Sequence, residues 1–359
     1  MSDVKNKMEA IFVPDWSQGN PYQILLKKGL EEQGISVFIK DYPRKIFPLN
    51  KLINASPAVS VIHLHWVNSL VDPIAWCDNR FKRAFKLTLL ATDIFFARLR
   101  RRRIIWTVHN LVSHESKNSE REILARRIIA LMCSHILVHS TSALRLLEHT
   151  YRLPLEKKAT VTPHGNYDGC YPSDRAIAEK LRHKYLITNN DIVVLFFGAI
   201  RPYKGIERLL SAFLSTRTKG IKLVIAGNVT DATLSQAIYD AVKCNNQIVP
   251  AIGFVPENEV ESFFSLADIV ALPFERTLTS GSATLACTMG KALLVPEEAR
   301  VFDFVTNDNA FFFSSDDCLA RIISKLDKAE LAIMGQHARK AVAHFSWSYV
   351  STLVAKVYN

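Results

Sequence analysis

The sequence predicts an α/β protein made of two doubly wound, Rossmann-like domains. Three observations carry that expectation. Short apolar runs alternate with helix-patterned segments along most of the chain, the order expected of parallel strands joined by helical crossovers. The alternation comes as two series, separated by the turn-forming stretch Tyr171-Pro172-Ser173-Asp174. A chain of 359 residues also exceeds what one hydrophobic core ordinarily serves.

The first series opens with the apolar run from Ala10 to Val13, which stops at Pro14-Asp15. A loop containing Gly19-Asn20-Pro21 leads to a helix pattern over 22–33, and Gly34 closes it as glycine commonly closes helices. A strand over 35–39 completes the β-loop-helix-β opening of a Rossmann-type sheet. Further strands are expected at 59–65, 103–108, 136–139 and 159–162. Several run out into polar clusters: His63-Leu64-His65-Trp66, His109-Asn110 and Pro163-His164-Gly165. The second series gives strands at 192–197, 222–226, 248–254, 269–272 and 292–295. Helices are expected at 205–216, 232–244, 258–267 and 281–289. A final helical run follows Phe345-Ser346-Trp347-Ser348-Tyr349. The expected domains are 1–170 and 171–340, with a C-terminal helix in 341–359.

Composition narrows the function classes. The chain is 48% hydrophobic and 22% charged, as in folded globular proteins. Lys and Arg total 45 against 34 Asp and Glu, a net charge of +11, which points to an anionic partner such as nucleotide phosphate, nucleic acid or acidic lipid. Part of the excess is local: Arg98 and Arg100-Arg101-Arg102-Arg103 place five charges within six positions. Such a run is either a solvated face or a binding patch. Six scattered cysteines without a Cys-x-x-Cys pair argue against a thiolate metal centre and fit a reducing, cytoplasmic setting. The polar opening residues predict no secretory leader. No apolar run reaches the ~18 residues of a membrane span. The nearest, 87–99, carries Asp93 and Arg98 and is preceded by Lys82, Arg83 and Lys86. Phe81, Phe85, Leu89 and Phe96 recur near helical spacing. The segment reads either as a basic helix peripheral on the inner face of an anionic membrane or as a core helix with a charged end.

Two loops carry the chemistry. In Gly198-Ala199-Ile200-Arg201-Pro202-Tyr203-Lys204-Gly205, a buried strand delivers a glycine turn, two cations three residues apart, and a glycine opening a helix. Glycine admits phosphate to the backbone, the helix start offers free N–H groups, and Arg201 and Lys204 neutralise charge, a set suited to a diphosphate. The second loop, Pro273 to Ser282, includes Glu275 and Thr279 and ends in Ser280-Gly281-Ser282. Its amides form a further anion cradle, or its serine is a plain helix cap.

The order of these motifs resembles the GT-B glycosyltransferases, and in particular the group 1-like donor domain of bacterial exopolysaccharide and lipopolysaccharide transferases. Carrying it are Gly198 to Gly205, Ala226-Gly227, Ala267-Asp268-Ile269-Val270-Ala271-Leu272-Pro273-Phe274, Ser280-Gly281-Ser282 and Gly290-Lys291-Ala292. Asn20-Pro21-Tyr22, Thr107-Val108-His109-Asn110 and the histidine clusters of the first half extend it. It implies two Rossmann-like domains facing each other, the first for the acceptor and the second for a nucleoside-diphosphate sugar, with the C-terminal helix crossing back to the first. It implies that Arg201, Lys204 and the amides of Ser280, Gly281 and Ser282 hold the donor diphosphate, without a catalytic metal or other cofactor. Gly198, His164, Glu275 and Thr279 would line the donor side. One feature departs from the pattern. The acidic pair Glu-x7-Glu of retaining relatives falls on Thr277 and Leu285, neither of them acidic.

An inverting transfer needs a general base for the acceptor hydroxyl. Asp15, His109 and Glu115 are the candidates, with His65 and His114 nearby; each histidine has the alternative of a structural hydrogen-bonding role. The expected reaction is transfer of a hexosyl or uronosyl unit to a saccharide acceptor carried on a lipid, in cell-surface polysaccharide synthesis. Two other classes compete. A nucleotide-sugar epimerase lacks support from a Tyr-x3-Lys helix or a clean Gly-x-Gly-x-x-Gly, and a nucleic-acid-binding protein lacks a recognisable binding motif.

Overall fold

A computed structural model describes residues 8–44, 46–113, 116, 118–216 and 220–359. The chain forms two compact units, Met1–Gly165 with Phe345–Asn359, and Asn166–His344.

The first unit contains β1 (Glu9–Val13), α1 (Tyr22–Glu31), β2 (Ser36–Ile39), α2 (Pro48–Ala55), β3 (Val61–Leu64), α3 (Asn68–Ala75), α4 (Arg80–Leu99), β4 (Arg103–Thr107), α5 (Ser119–Met132), β5 (His135–Val138), α6 (Thr141–Tyr151) and β6 (Ala159–Val161). All strand pairs are parallel, in the order β2-β1-β3-β4-β5-β6. Ala10 to Val13 are fully buried, so β1 has no solvent face and reads as an unbroken apolar run.

The second unit contains α7 (Arg175–Lys184), β7 (Ile192–Phe197), α8 (Ile206–Ser215), β8 (Ile221–Gly227), α9 (Ala232–Cys244), β9 (Ile248–Ile252), α10 (Glu257–Leu266), β10 (Ile269–Ala271), α11 (Gly281–Thr288), β11 (Ala292–Pro296), β12 (Ala310–Phe313), α12 (Asp316–Ile323) and α13 (Lys328–Val342). Its strands are also parallel, ordered β12-β11-β10-β7-β8-β9. The elements from β12 to α13 lie beyond the last strand expected from the sequence.

The last helix, α14 (Trp347–Tyr358), belongs to the first unit. It packs on α1, where a Cβ at Gly29 would fall 2.7 Å from Ser351 Oγ. Gln33 Nε2 donates to the same hydroxyl at 2.6 Å. At the far end, the Tyr358 hydroxyl lies 2.6 Å from His63 Nδ1, and His63 Nε2 lies 2.6 Å from Thr107 Oγ1. The helix is thus tied to β3 and β4 by a buried polar chain.

The division falls at 165/166 and 344/345, a few residues from the expected 170/171 and 340/341. Asn166 Nδ2 donates to the Val342 carbonyl at 3.0 Å, and the Tyr167 amide to Thr288 Oγ1 at 3.2 Å. Both bonds fasten 166–167 to the second unit, and 341–342 complete α13 before the chain returns.

Four of the five clustered arginines, Arg98, Arg100, Arg101 and Arg103, are exposed, as a solvated face requires, and Arg102 is half-buried. Only Arg98 lies in α4. Arg98 Nη1 donates to the Met132 carbonyl (3.1 Å), Arg100 Nη1 to Asn54 Oδ1 (2.7 Å), Arg102 Nη2 to the Pro57 carbonyl (2.8 Å) and Arg103 Nη1 to the Tyr358 carbonyl (2.9 Å). These bonds join helix ends and loops beside the amino end of β4.

Removing the Tyr358 hydroxyl leaves a buried imidazole nitrogen without its partner. We expect Tyr358→Phe to lower stability by about 1–3 kcal/mol, read as an earlier urea midpoint. An unchanged midpoint would show that the hydroxyl holds nothing.

Candidate functional site

In the second unit the strand order reverses between β7 and β10. Ligands of open parallel sheets bind at such reversals, at the carboxyl ends of the strands. Both loops singled out in the sequence leave from these two strands. The first turns at Gly198, which has φ +104°, and a Cβ there would touch Lys204 Nζ at 3.4 Å. Residues 202–204 form one 3₁₀ turn, and Gly205, at φ +71°, opens α8. A side chain at Gly205 would overlap the Pro273 carbonyl oxygen. The Glu275 amide donates to the Tyr203 carbonyl at 3.0 Å. The two loops therefore lie against each other at the reversal.

Lys204 is half-buried, and among the described residues its ammonium makes no hydrogen bond or ion pair. Burial first, and the Arg201 charge second, hold its pKa down at about 8. A shielded cation without a counter-charge is costly unless an anion arrives. Arg201 is exposed, and its Nη1 donates to Thr230 Oγ1 at 3.2 Å.

The Ser280 hydroxyl caps α11, accepting from the Ala283 amide at 3.1 Å. The capping reading thus holds for that side chain. It does not consume the cradle, because the amides of Gly281 and Ser282 have no partner among the described residues and a helix N-terminus attracts negative charge. Thr279 contributes its carbonyl to the Thr277 hydroxyl at 2.8 Å. Glu275 is exposed, and Leu285, at one position of the missing acidic pair, is buried.

In the first unit the order reverses between β1 and β3. Here the carboxyl edge carries histidines: His63 in β3, His65 just beyond it, and His109, His139 and His164 after β4, β5 and β6. All five are buried or nearly so, and Tyr22 packs edge-on against four of them with centroids 5.0–5.7 Å away. Burial lowers every pKa, to about 3 for His63 and His164, about 4 for His139, and well below the ordinary value for His65 and His109. The row is neutral at physiological pH. His65 Nδ1 lies 3.4 Å from His109 Nε2, His139 Nδ1 2.8 Å from the Thr162 carbonyl, and His164 Nδ1 2.8 Å from the Gly165 carbonyl.

Asp15 is exposed just after β1. Its Oδ1 accepts from the Ser17 hydroxyl at 2.6 Å and the Ser17 amide at 2.9 Å, and these bonds lower its pKa. Glu115 and His114 lie outside the described residues. The loop after β4 is braced by the buried Arg126–Glu122 pair (2.7 Å), with Arg126 Nη1 donating to the Asn110 carbonyl at 3.1 Å.

Two tryptophans outside the candidate residues join this edge of the sheet. Trp16, two residues past Pro14, stacks on Trp66 with centroids 4.9 Å apart and planes at 15°. Trp66 stacks in turn on His109 at 4.4 Å and 13°. Tryptophans placed soon after consecutive strands of the sheet reversal are the signal that was available.

Known proteins share this architecture and part of this sequence. The fold is that of the GT-B glycosyltransferases. Its residues 177–340 match the family described as glycosyl transferases group 1. A GDP-mannose:glycolipid 4-beta-D-mannosyltransferase of Xanthomonas campestris pv. campestris is 24% identical over 282 residues, covering 77% of this chain and 73% of the relative. A lipopolysaccharide 1,2-N-acetylglucosaminetransferase of Salmonella typhimurium is 28% identical over 216 residues, 56% of each chain. Among solved structures, Anabaena HepE in complex with UDP-glucose superposes with a TM-score of 0.72 at 15% identity, covering 97% of this chain and 98% of that one. Sucrose-phosphate synthase from Thermosynechococcus elongatus gives 0.73 at 16%, covering 98% of both.

The Lys204 pKa gives a pH signature. The ammonium is present below about 8 and lost above it, so anion affinity should fall as pH rises through that value. We expect pyrophosphate binding near that pH to take up a proton, seen calorimetrically as an enthalpy that depends on buffer ionisation. Lys204→Met should abolish that dependence; its persistence would assign the proton elsewhere.

Proposed function

We propose that the chain transfers a hexosyl or uronosyl unit from a nucleoside-diphosphate sugar to a saccharide acceptor carried on a lipid, in the synthesis of cell-surface polysaccharide. The observation that carries this reading is the unpaired Lys204 ammonium over Gly198, beside the loop that leads to the open α11 terminus. A diphosphate supplies the charge this arrangement lacks. Relatives named for GDP-mannose and glycolipid, and a neighbour solved with UDP-glucose, support the substrate classes.

In the proposed step, Lys204, Arg201 and the Gly281 and Ser282 amides hold the diphosphate and take up charge as the anomeric C–O bond breaks. No metal is assigned to this task. Asp15 serves as base, receiving the acceptor's hydroxyl proton as that oxygen bonds to the anomeric carbon. Of the described candidates, Asp15 is exposed and ionised, whereas His109 lies beneath Trp66 with its basicity suppressed. The absence of an acidic residue at 277 and 285 agrees with an inverting route.

A peripheral membrane location is part of the proposal. Among the described residues, no helix is long and apolar enough to cross a membrane. One side of α4 is buried through Leu90, Asp93, Ile94 and Ala97. Asp93 there accepts from the Leu49 and Asn50 amides at 2.9 and 3.1 Å. Phe81, Phe85, Phe96 and Leu99 are left exposed, with Arg80 and Lys82 beside them. Exposed aromatics flanked by cations suit an anionic lipid surface.

With UDP-glucose and GDP-mannose as donors, Arg201→Ala and Lys204→Ala should each reduce transfer by about 100-fold or more without lowering the thermal midpoint. Near-normal turnover in both would remove the basis of the proposal. Separately, the protein should co-float with vesicles containing phosphatidylglycerol but not with phosphatidylcholine alone. Phe81→Ser with Phe85→Ser should release it, and undiminished flotation of that variant would place any contact elsewhere.

A further inference from the structure

The first unit presents a column of three near-parallel rings, Trp16, Trp66 and His109, delivered by the loops after β1, β3 and β4. His109 is buried at the base, Trp66 is half-buried, and Trp16 at the top is 47% exposed. A lone exposed tryptophan needs no explanation, but this one is built into place. Its amide donates to Gln23 Oε1 at 2.8 Å, and Gln23, fully buried in α1, donates through Nε2 to the Pro14 carbonyl at 2.8 Å. One side chain thus clamps the loop on both sides of Asp15. One indole face is spent on Trp66, while nearly half of the residue remains open to solvent.

We infer that the outer face of Trp16 is an acceptor subsite that stacks one pyranose ring of the saccharide. The inference rests on the glycosyl-transfer reading above. The axial C–H groups of a pyranose are weakly positive and complement the negative face of an indole. A ring held by stacking and a buried clamp offers that face with little entropy left to lose. The location is right for a ligand, since the column rises from the strand-order reversal of the first sheet. Asp15 adjoins Trp16 in sequence, so a ring on the indole lies in the neighbourhood of the carboxylate. A nucleobase also has a flat face, but the charged diphosphate cradle belongs to the second unit. The histidine row around Tyr22 carries no net charge, as suits a neutral sugar and not a phosphate.

The test uses the full chain with cellotriose, chitotriose, maltotriose and mannotriose, followed by tryptophan emission, and with UDP and GDP followed by calorimetry. We expect at least one trisaccharide to change the emission saturably. Trp16→Ala should weaken that binding by about tenfold or more, and Trp16→Phe, which keeps a smaller face, by less. Binding of the trisaccharide to these variants is read by saturation-transfer NMR, so the lost fluorophore does not confound it. Nucleotide affinity and thermal midpoint should not move. Unchanged trisaccharide binding by Trp16→Ala, or no trisaccharide binding to the natural chain, overturns the subsite. Weaker nucleotide binding by Trp16→Ala overturns it in favour of a nucleobase platform. Failure of the natural chain to bind either nucleotide would instead strike the donor reading.

Discussion

A parallel sheet whose strand order reverses must send its crossovers to opposite faces, because each crossover is right-handed. The loops leaving the two strands at the reversal then diverge and expose backbone at their carboxyl ends. Both sheets of this chain contain one such point, β1 against β3 and β7 against β10. The features with chemical meaning gather there. The reversal in the second unit brings Gly198 to Gly205 against Pro273 and Glu275, and that contact requires a glycine at 205. The glycine at 198 allows a backbone turn at φ +104° that passes beneath the Lys204 ammonium. In the first unit the equivalent loops bring Trp16 onto Trp66.

The two reversals are furnished oppositely. One concentrates positive charge and, among the described residues, leaves the Lys204 ammonium without an ion pair. The other assembles five imidazoles, kept uncharged by burial, with a buried tyrosine among them and an aromatic column beside them. Such a division suits a reaction with one charged and one neutral participant. The highly charged leaving group needs field and donors, whereas a sugar hydroxyl needs orientation and a single proton acceptor.

Much of this could be read from residues in order. The run Ile192 to Phe197 is a strand with the expected bounds, because six consecutive apolar residues, too few for a helix, end at a glycine turn. The helix Ala232–Cys244 was equally legible, and Asp231 caps it through the Thr233 and Leu234 amides. The partners of the arginine run were not legible, since charge count does not tell whether an exposed guanidinium also bonds the carbonyls of Met132, Pro57 and Tyr358. The pairing of Trp16 with Trp66 was out of reach for a related reason. Fifty residues separate them, and only the sheet order makes them neighbours. Residues 310–313 are four apolar positions between polar turns, too short to declare a strand before its partner β11 is known.

The return of α14 makes the first unit discontinuous in sequence. The polar chain from Tyr358 through His63 to Thr107 cannot close until a complete second unit has been synthesised. Domains tend to fold as they emerge, and here the earlier sheet must wait with its helix-binding face open while the later one forms. The order of assembly is therefore inverted relative to the order of translation. The second unit is the first that can finish.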